Sequence, residues 1–193
     1  MLIKTKAKLL LIKNTSQMKR LFAAAILAVI ILLPFNANAQ RTEISASYGA
    51  YTQMDGSDMK DGWDHVNTAW GALNLSVNFR VTRNIWIGPS YTFSSTTTKG
   101  GPHHSSIAYH AIMFNGRYHY YHNSIVTIYA KFGLGVEISH MQPRGHDSYN
   151  KSYCAFQIVP VGAQVDLNRQ WAMFAEAGYG AQGVFQFGFR LRL

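Results

Sequence analysis

Several residue groups in this chain have the types and spacing to do chemistry. His122-Asn123-Ser124 with Glu137 downstream offers a base, a hydroxyl nucleophile and a carboxylate. His104-Ser105-Ser106 is a second His-x-Ser, with no carboxylate near it in sequence. Asp55, Asp58, Asp61 and Asp64 recur at intervals of three. Hard cations favour such clustered carboxylates, but the alternate-residue ligand pattern of a calcium loop is absent, and a solvated acidic loop accounts for the run. His65, His103, His104, His140 and His146 could furnish a surface zinc or haem site, or simply decorate loops. None of these groups acts unless the chain brings its members within hydrogen-bond reach, so the elements that carry them decide.

Composition narrows those elements. Of 193 residues, 48% are hydrophobic and 14% charged, the latter well below the roughly 25% of average globular chains. Aromatics make up 13%, which excludes a disordered or coiled-coil chain. The single cysteine, Cys154, excludes an intramolecular disulfide framework and a Cys-based structural zinc site. It reads as a small packing residue. The formal charge of +9 suggests nucleic acid, but six of the 18 basic residues and none of the nine acids fall in residues 1–39. The basicity therefore belongs mainly to one segment, and no nucleic-acid partner is expected.

That segment reads as an export signal. Lys19-Arg20 precedes an apolar run from Leu21 to Phe35, too short for a spanning helix, and Ala37-Asn38-Ala39 supplies small residues for cleavage. The expected division is a signal peptide over 1–39, with Met18 as a candidate start, and a mature domain over 40–193.

Within 40–193 the apolar residues alternate with period two. The C-terminus is clearest: Phe185, Phe187, Phe189, Leu191 and Leu193 share one parity, opposite Gln186, Gly188, Arg190 and Arg192. Seven more strands are expected, over 42–51, 71–80, 85–95, 107–120, 125–139, 153–167 and 171–180. In the 153–167 strand Val159 and Val161 are assigned to the apolar face and Pro160 to the polar one. Short connections at 82–84, 121–123 and 168–170 alternate with long polar ones at 52–66, 94–106 and 140–152. The opposite faces carry mostly Ser, Thr, Asn, Gln, Gly and Tyr rather than the Lys and Glu of a soluble sandwich. The fold class expected is all-β: an eight-stranded antiparallel up-and-down transmembrane β-barrel, apolar outside and polar inside.

On the hairpin rhythm, the segment Phe174-Ala-Glu-Ala-Gly-Tyr-Gly180 and the alternating terminal strand Phe185 to Leu193, residues 40–193 resemble the small outer-membrane β-barrel family, the class of the OmpA transmembrane domain and OmpX-like porin-family proteins. The resemblance implies a bacterial outer-membrane location, with termini and short turns toward the periplasm. It implies outer-membrane lipid and lipopolysaccharide as surroundings. It also implies the barrel-assembly machinery as a partner reading Phe185, Phe187, Phe189, Leu191 and Leu193. That family commonly ends in an aromatic residue, whereas this chain ends in Leu193. Lipid A deacylases, also outer-membrane barrels, pair His-x-Ser with Glu, but here parity turns Ser124 toward lipid and Glu137 inward.

Eight strands enclose a lumen that side chains fill. The inward parity holds Glu43, Arg80, Arg117, Lys131, Glu137, Asp166, Glu176, Arg190 and Arg192, for which a charge network is expected, with Glu176 diagonal to Arg190 and Glu43 meeting the Arg190/Arg192 end. A narrow ion pore is the alternative. Trp70, Trp86, Trp171, Tyr118 and Tyr120 are expected as membrane-interface aromatics. His110 falls on the apolar face, where it marks either the membrane interface or a register slip. No catalytic residue, metal or cofactor is assigned. The role expected is structural or surface-interactive, with an unidentified ligand at loops 52–66, 94–106 and 140–152, Trp63 and Tyr149 among them. A lipid A-modifying hydrolase is the other alternative.

Overall fold

The computed structural model describes residues 42–54, 69–97, 106–142 and 149–193. They form eight strands: β1 Thr42–Ala50, β2 Ala72–Arg80, β3 Ile85–Thr97, β4 Ser106–His122, β5 Val126–Gln142, β6 Tyr149–Asp166, β7 Trp171–Gly180 and β8 Phe185–Arg192. Each pairs antiparallel with its chain neighbour, and β1 pairs with β8, so the sheet closes. The expected signal segment 1–39 lies outside the described residues, as do Asp55, Asp58, Asp61, Trp63, Asp64, His65, His103, His104, Ser105 and His146.

The period-two pattern is what closes this sheet with its apolar side outward. Leu75, Phe114 and Phe187 are 57, 58 and 62% exposed, whereas Thr92, Gln157 and Gln164 are fully buried. A soluble protein buries the first set and wets the second. A belt of exposed large apolar side chains around a polar interior suits only an apolar solvent.

At the end where β1 begins and β8 ends, the three connections are short and tightly keyed. Each is fixed by a side-chain oxygen accepting backbone N–H groups. Thr82 Oγ1 accepts from Ile85 at 3.1 Å, Asn123 Oδ1 from Val126 at 2.6 Å and Asn168 Oδ1 from Trp171 at 2.7 Å. Thr and Asn are suited to this because their short polar side chains mimic a turn of backbone.

Two strands depart from strict alternation. In β6 the register shifts between Ile158 and Val161, and Val159 turns into the lumen at 1% exposure while Pro160 turns out. The assignment of Val159 to the lipid face is thus corrected. Proline has no N–H for the ladder and is accommodated at a bulge, which inverts parity on one side of it. A second shift in β4, between His119 and Tyr121, leaves Tyr120 and Tyr121 both exposed. No slip occurs at His110: it faces outward in register opposite Ile138, its Nδ1 2.6 Å from the Tyr91 hydroxyl.

The far end also corrects two loop boundaries. β4, β5 and β6 run for 17, 17 and 18 residues, where about 9–11 suffice to cross a bilayer. The strands therefore absorb much of 94–106 and 140–152, leaving 98–105 and 143–148 as connections, and they take His140 and Tyr149 into the sheet.

Candidate functional site: a sealed, charged lumen

The lumen is built in layers, and the first, next to the mouth where β1 begins and β8 ends, is ionic. At the β1–β8 seam Glu43 lies directly opposite Arg192, whose Nε approaches Glu43 Oε1 at 3.1 Å. Arg117 of β4 binds the other oxygen of Glu43 from across the lumen. Arg192 also clamps Asp166 of β6 with two bonds, 2.8 and 2.9 Å. A planar guanidinium suits such paired contacts.

One level further in, Glu176 of β7 gathers a second cluster. Its Oε1 accepts from Arg190 at 3.0 Å and from the Tyr129 hydroxyl at 2.7 Å, and its Oε2 accepts from Lys131. Tyr129 in turn accepts from Arg190 at 2.6 Å. Arg190 also donates to Gln164, which donates to Asp166 at 2.8 Å, so both clusters are one network. The Arg190 guanidinium lies over Phe174 and Tyr129 at 4.0 and 4.7 Å from the ring centroids. Glu43, Arg117, Glu176 and Arg190 are all buried. A buried charge is tolerable only when paired and hydrogen-bonded, and each of the two carboxylates has partners on both oxygens.

Above this layer the chain itself forms a stopper. The β7–β8 connection folds inward, burying Ala181, Gln182 and Gly183. Gln182 donates to Ser90 at 2.9 Å and accepts from Lys131 at 2.8 Å, while its backbone bonds Gln157 and Asn74 at 2.9 and 3.1 Å. Gly180 and Gly183 turn the chain with φ of 144° and 110°, angles that favour glycine. Gly49 must also be glycine, because a Cβ there would overlap the Gln182 carbonyl oxygen. Capping the stopper, Met54, Ile107, Tyr109, Ala111, Met113, Ala155 and Ala181 pack into an apolar cluster.

Two residues assigned to the lumen network or the membrane interface stand elsewhere, and a third lies inside as assigned but apart from the network. Arg80 shares the inward parity but sits exposed at the mouth, donating to the Thr82 and Arg83 carbonyls at 3.3 Å rather than joining an ion pair. It ends β2, where the wall stops and water begins. Glu137 is buried inside, but it lies six residues along β5 from Lys131, opposite Ala111 and Tyr153, well beyond the Glu43–Glu176 network. Trp86 is corrected outright: it is inside at 5% exposure, stacked on His119 and lying under the guanidinium of Arg117. Its own parity, shared with Gly88 and Ser90, carries that signal.

Trp70, Trp171, Tyr118 and Tyr120 are on the outer surface, 45–51% exposed. Phe185, Phe187 and Phe189 project outward from β8, and Leu193 closes the seam through its N–H to Thr42 at 3.0 Å. The His-x-Ser-Glu arrangement is not assembled. His122 bonds Thr127 at 2.7 Å and Ser124 lies in the turn. Glu137 stands ten residues along β5 from Thr127, about 30 Å in a strand. Among the described residues no group of three or more His, Cys, Asp or Glu could hold a metal. Cys154 is exposed on the outer face.

The sequence matches a family model described as outer membrane protein beta-barrel domain over residues 22–185. No curated protein matches it. Solved structures similar to it include the N-terminal β-barrel domain of Pseudomonas aeruginosa OprF, at 10% identity over 80% of this chain and 98% of that one, with a TM-score of 0.48. Another is Ail, the attachment invasion locus protein of Yersinia pestis, in complex with the heparin analogue sucrose octasulfate, at 12% identity over 78% and 92% of the two chains and a TM-score of 0.44.

Proposed function

Because this chain belongs to the outer membrane protein beta-barrel domain family, we propose that it is a plugged barrel of the bacterial outer membrane whose work is structural or surface-interactive rather than conductive. The observation that carries this reading is the seal. The void among Arg117, Lys131, Glu176, Gln182 and Arg190 is about 20 Å³, room for about one water and no hydrated ion. The Gln182 stopper and the apolar cluster then close the far side.

In this reading the termini and keyed turns face the periplasm, and the long β4–β6 strands project outward. Lipid and lipopolysaccharide contact the apolar belt. The barrel-assembly machinery engages β8. An unidentified surface ligand meets the outer connections within 52–66, 94–106 and 140–152. The separation of His122 and Ser124 from Glu137 speaks against the hydrolase alternative, and the seal speaks against the pore.

Single-channel recording of the purified barrel in a planar bilayer tests the reading. The expected record is a flat baseline. Sustained unitary steps would overturn it.

A further inference from the structure

The mouth at the terminal end opens into a vestibule of about 540 Å³. Arg80 and Arg83 approach from the first short turn, Arg169 from the third and Arg192 from β8, while Trp86 and His119 form part of the lining deeper in. Asp166 is the sole lining acid against those four arginines. Two of the arginines are already engaged: Arg192 by Asp166 and Glu43, Arg80 by turn carbonyls. Arg83 and Arg169 are exposed and make no side-chain hydrogen bond or ion pair among the described residues.

The seal of the barrel does not require two more arginines here. Like charges gathered around a concave, low-dielectric wall repel one another and focus a positive potential into the cavity. A second observation points the same way. His119 is 8% exposed, and its Nε2 is buried with no hydrogen-bond partner. It is held face to face with Trp86, ring centroids 6.1 Å apart at 27°, so the ring is fixed in position. Of the nine buried side-chain polar atoms without a hydrogen-bond partner among the described residues, His119 Nε2 alone belongs to a residue that lines this vestibule, where a ligand would supply the missing partner.

We infer that this vestibule binds a phosphoryl-bearing ligand at the periplasmic end of the barrel. Arg83 and Arg169 would hold its oxygens from opposite walls, and His119 would meet it from the deeper wall. The donors stand on three separate elements, which suits the several oxygens of a phosphoryl group better than the flat pair of a monocarboxylate. The cavity has the size of small-molecule sites, larger than bare phosphate and open to a phosphate ester or a headgroup. The inference adds a site to the sealed barrel and does not depend on the seal.

The test uses the full chain, purified from membranes into maltoside micelles, which contain no phosphate. Sodium pyrophosphate is titrated by calorimetry at low ionic strength. The expected result is one saturable site per barrel, weakened by added salt. Affinity should fall about tenfold or more in the double variant Arg83→Gln/Arg169→Gln. His119→Gln should weaken binding independently. The rim variant touches no ion pair, and a retained mobility shift between heated and unheated gel samples verifies folding for both. No saturable heat, or equal affinity in wild type and both variants, overturns the inference. Competition by short-chain phosphatidylglycerol would assign the site to a lipid headgroup, and lack of competition to a soluble phosphate ester; either outcome supports phosphoryl recognition.

Discussion

Glu43 and Arg192 face each other across the seam where the first strand meets the last, so an ion pair fastens the barrel at the point where a sheet must close on itself. Glu43 is fully buried and also receives Arg117 from across the lumen. One carboxylate thus ties β1 to both β8 and β4.

Replacing Glu43 by Ala strands the buried Arg117 guanidinium and leaves Arg192 held by Asp166 alone. Removing one member of a buried pair costs about 3–5 kcal/mol. The urea midpoint for unfolding in micelles should drop accordingly, and the temperature at which the compact gel form is lost should fall with it. Glu43→Gln keeps the shape and one acceptor, and should recover part of the loss. An unchanged midpoint in Glu43→Ala would show that the seam is held by backbone pairing alone.

The stopper makes a separate prediction through Gly49. A methyl group at this position meets the Gln182 carbonyl, so Gly49→Ala must push the β7–β8 connection out of the lumen or shift β1. Overpacking of this kind costs about 1–3 kcal/mol. The variant should be measurably less stable, and bilayer recordings should show transient openings absent from the parent. If stability and baseline are both unaltered, the connection does not sit where the hydrogen bonds of Gln182 hold it.

Much of this architecture was legible in the residues. Strict alternation in 185–193 and 125–139 fixes both strands and faces, because a period of two admits no other regular element. Glu176 and Arg190 share the inward parity of one hairpin, so both enter the lumen from it, and their long side chains span a register offset of four residues. What parity could not supply is what interrupts it. Pro160 inverts one stretch of β6, and only the bulge explains why Val159 is inside. Trp86 was misplaced because residue type, a tryptophan near a strand end, outweighed its position beside Gly88 and Ser90. The inward connection at Gln182 has no periodic signature at all. It arises because β7 and β8 are 10 and 8 residues long beside a β6 of 18, so their hairpin ends below the far rim.

The outer belt predicts a depth-dependent penalty. Leu75 and Phe132 lie mid-strand on the apolar surface, 57 and 50% exposed. An arginine at either site should cost about 2–4 kcal/mol in reversible folding into lipid vesicles, the range for a charge near the bilayer midplane. Replacing Arg83 or Arg169 by another polar residue should cost little, since both stand on exposed turns. Equal tolerance at Leu75 and on the turns would argue that the belt meets water.

The tryptophans allow that inside–outside assignment to be read optically. Trp171 is 45% exposed on the outer wall, whereas Trp86 is sealed behind it at 5%, between His119 and the guanidinium of Arg117. In vesicles of brominated phospholipid, bromine quenches indoles it can touch. A variant retaining only Trp171 should therefore lose much of its emission, and one retaining only Trp86 should lose little. Pyrophosphate added to the Trp86-only protein should instead change its emission, because the ring lines the vestibule and stacks on His119. Strong bromine quenching of Trp86 would mean that β3 is turned over, which would take Trp86 from under the Arg117 guanidinium and off His119.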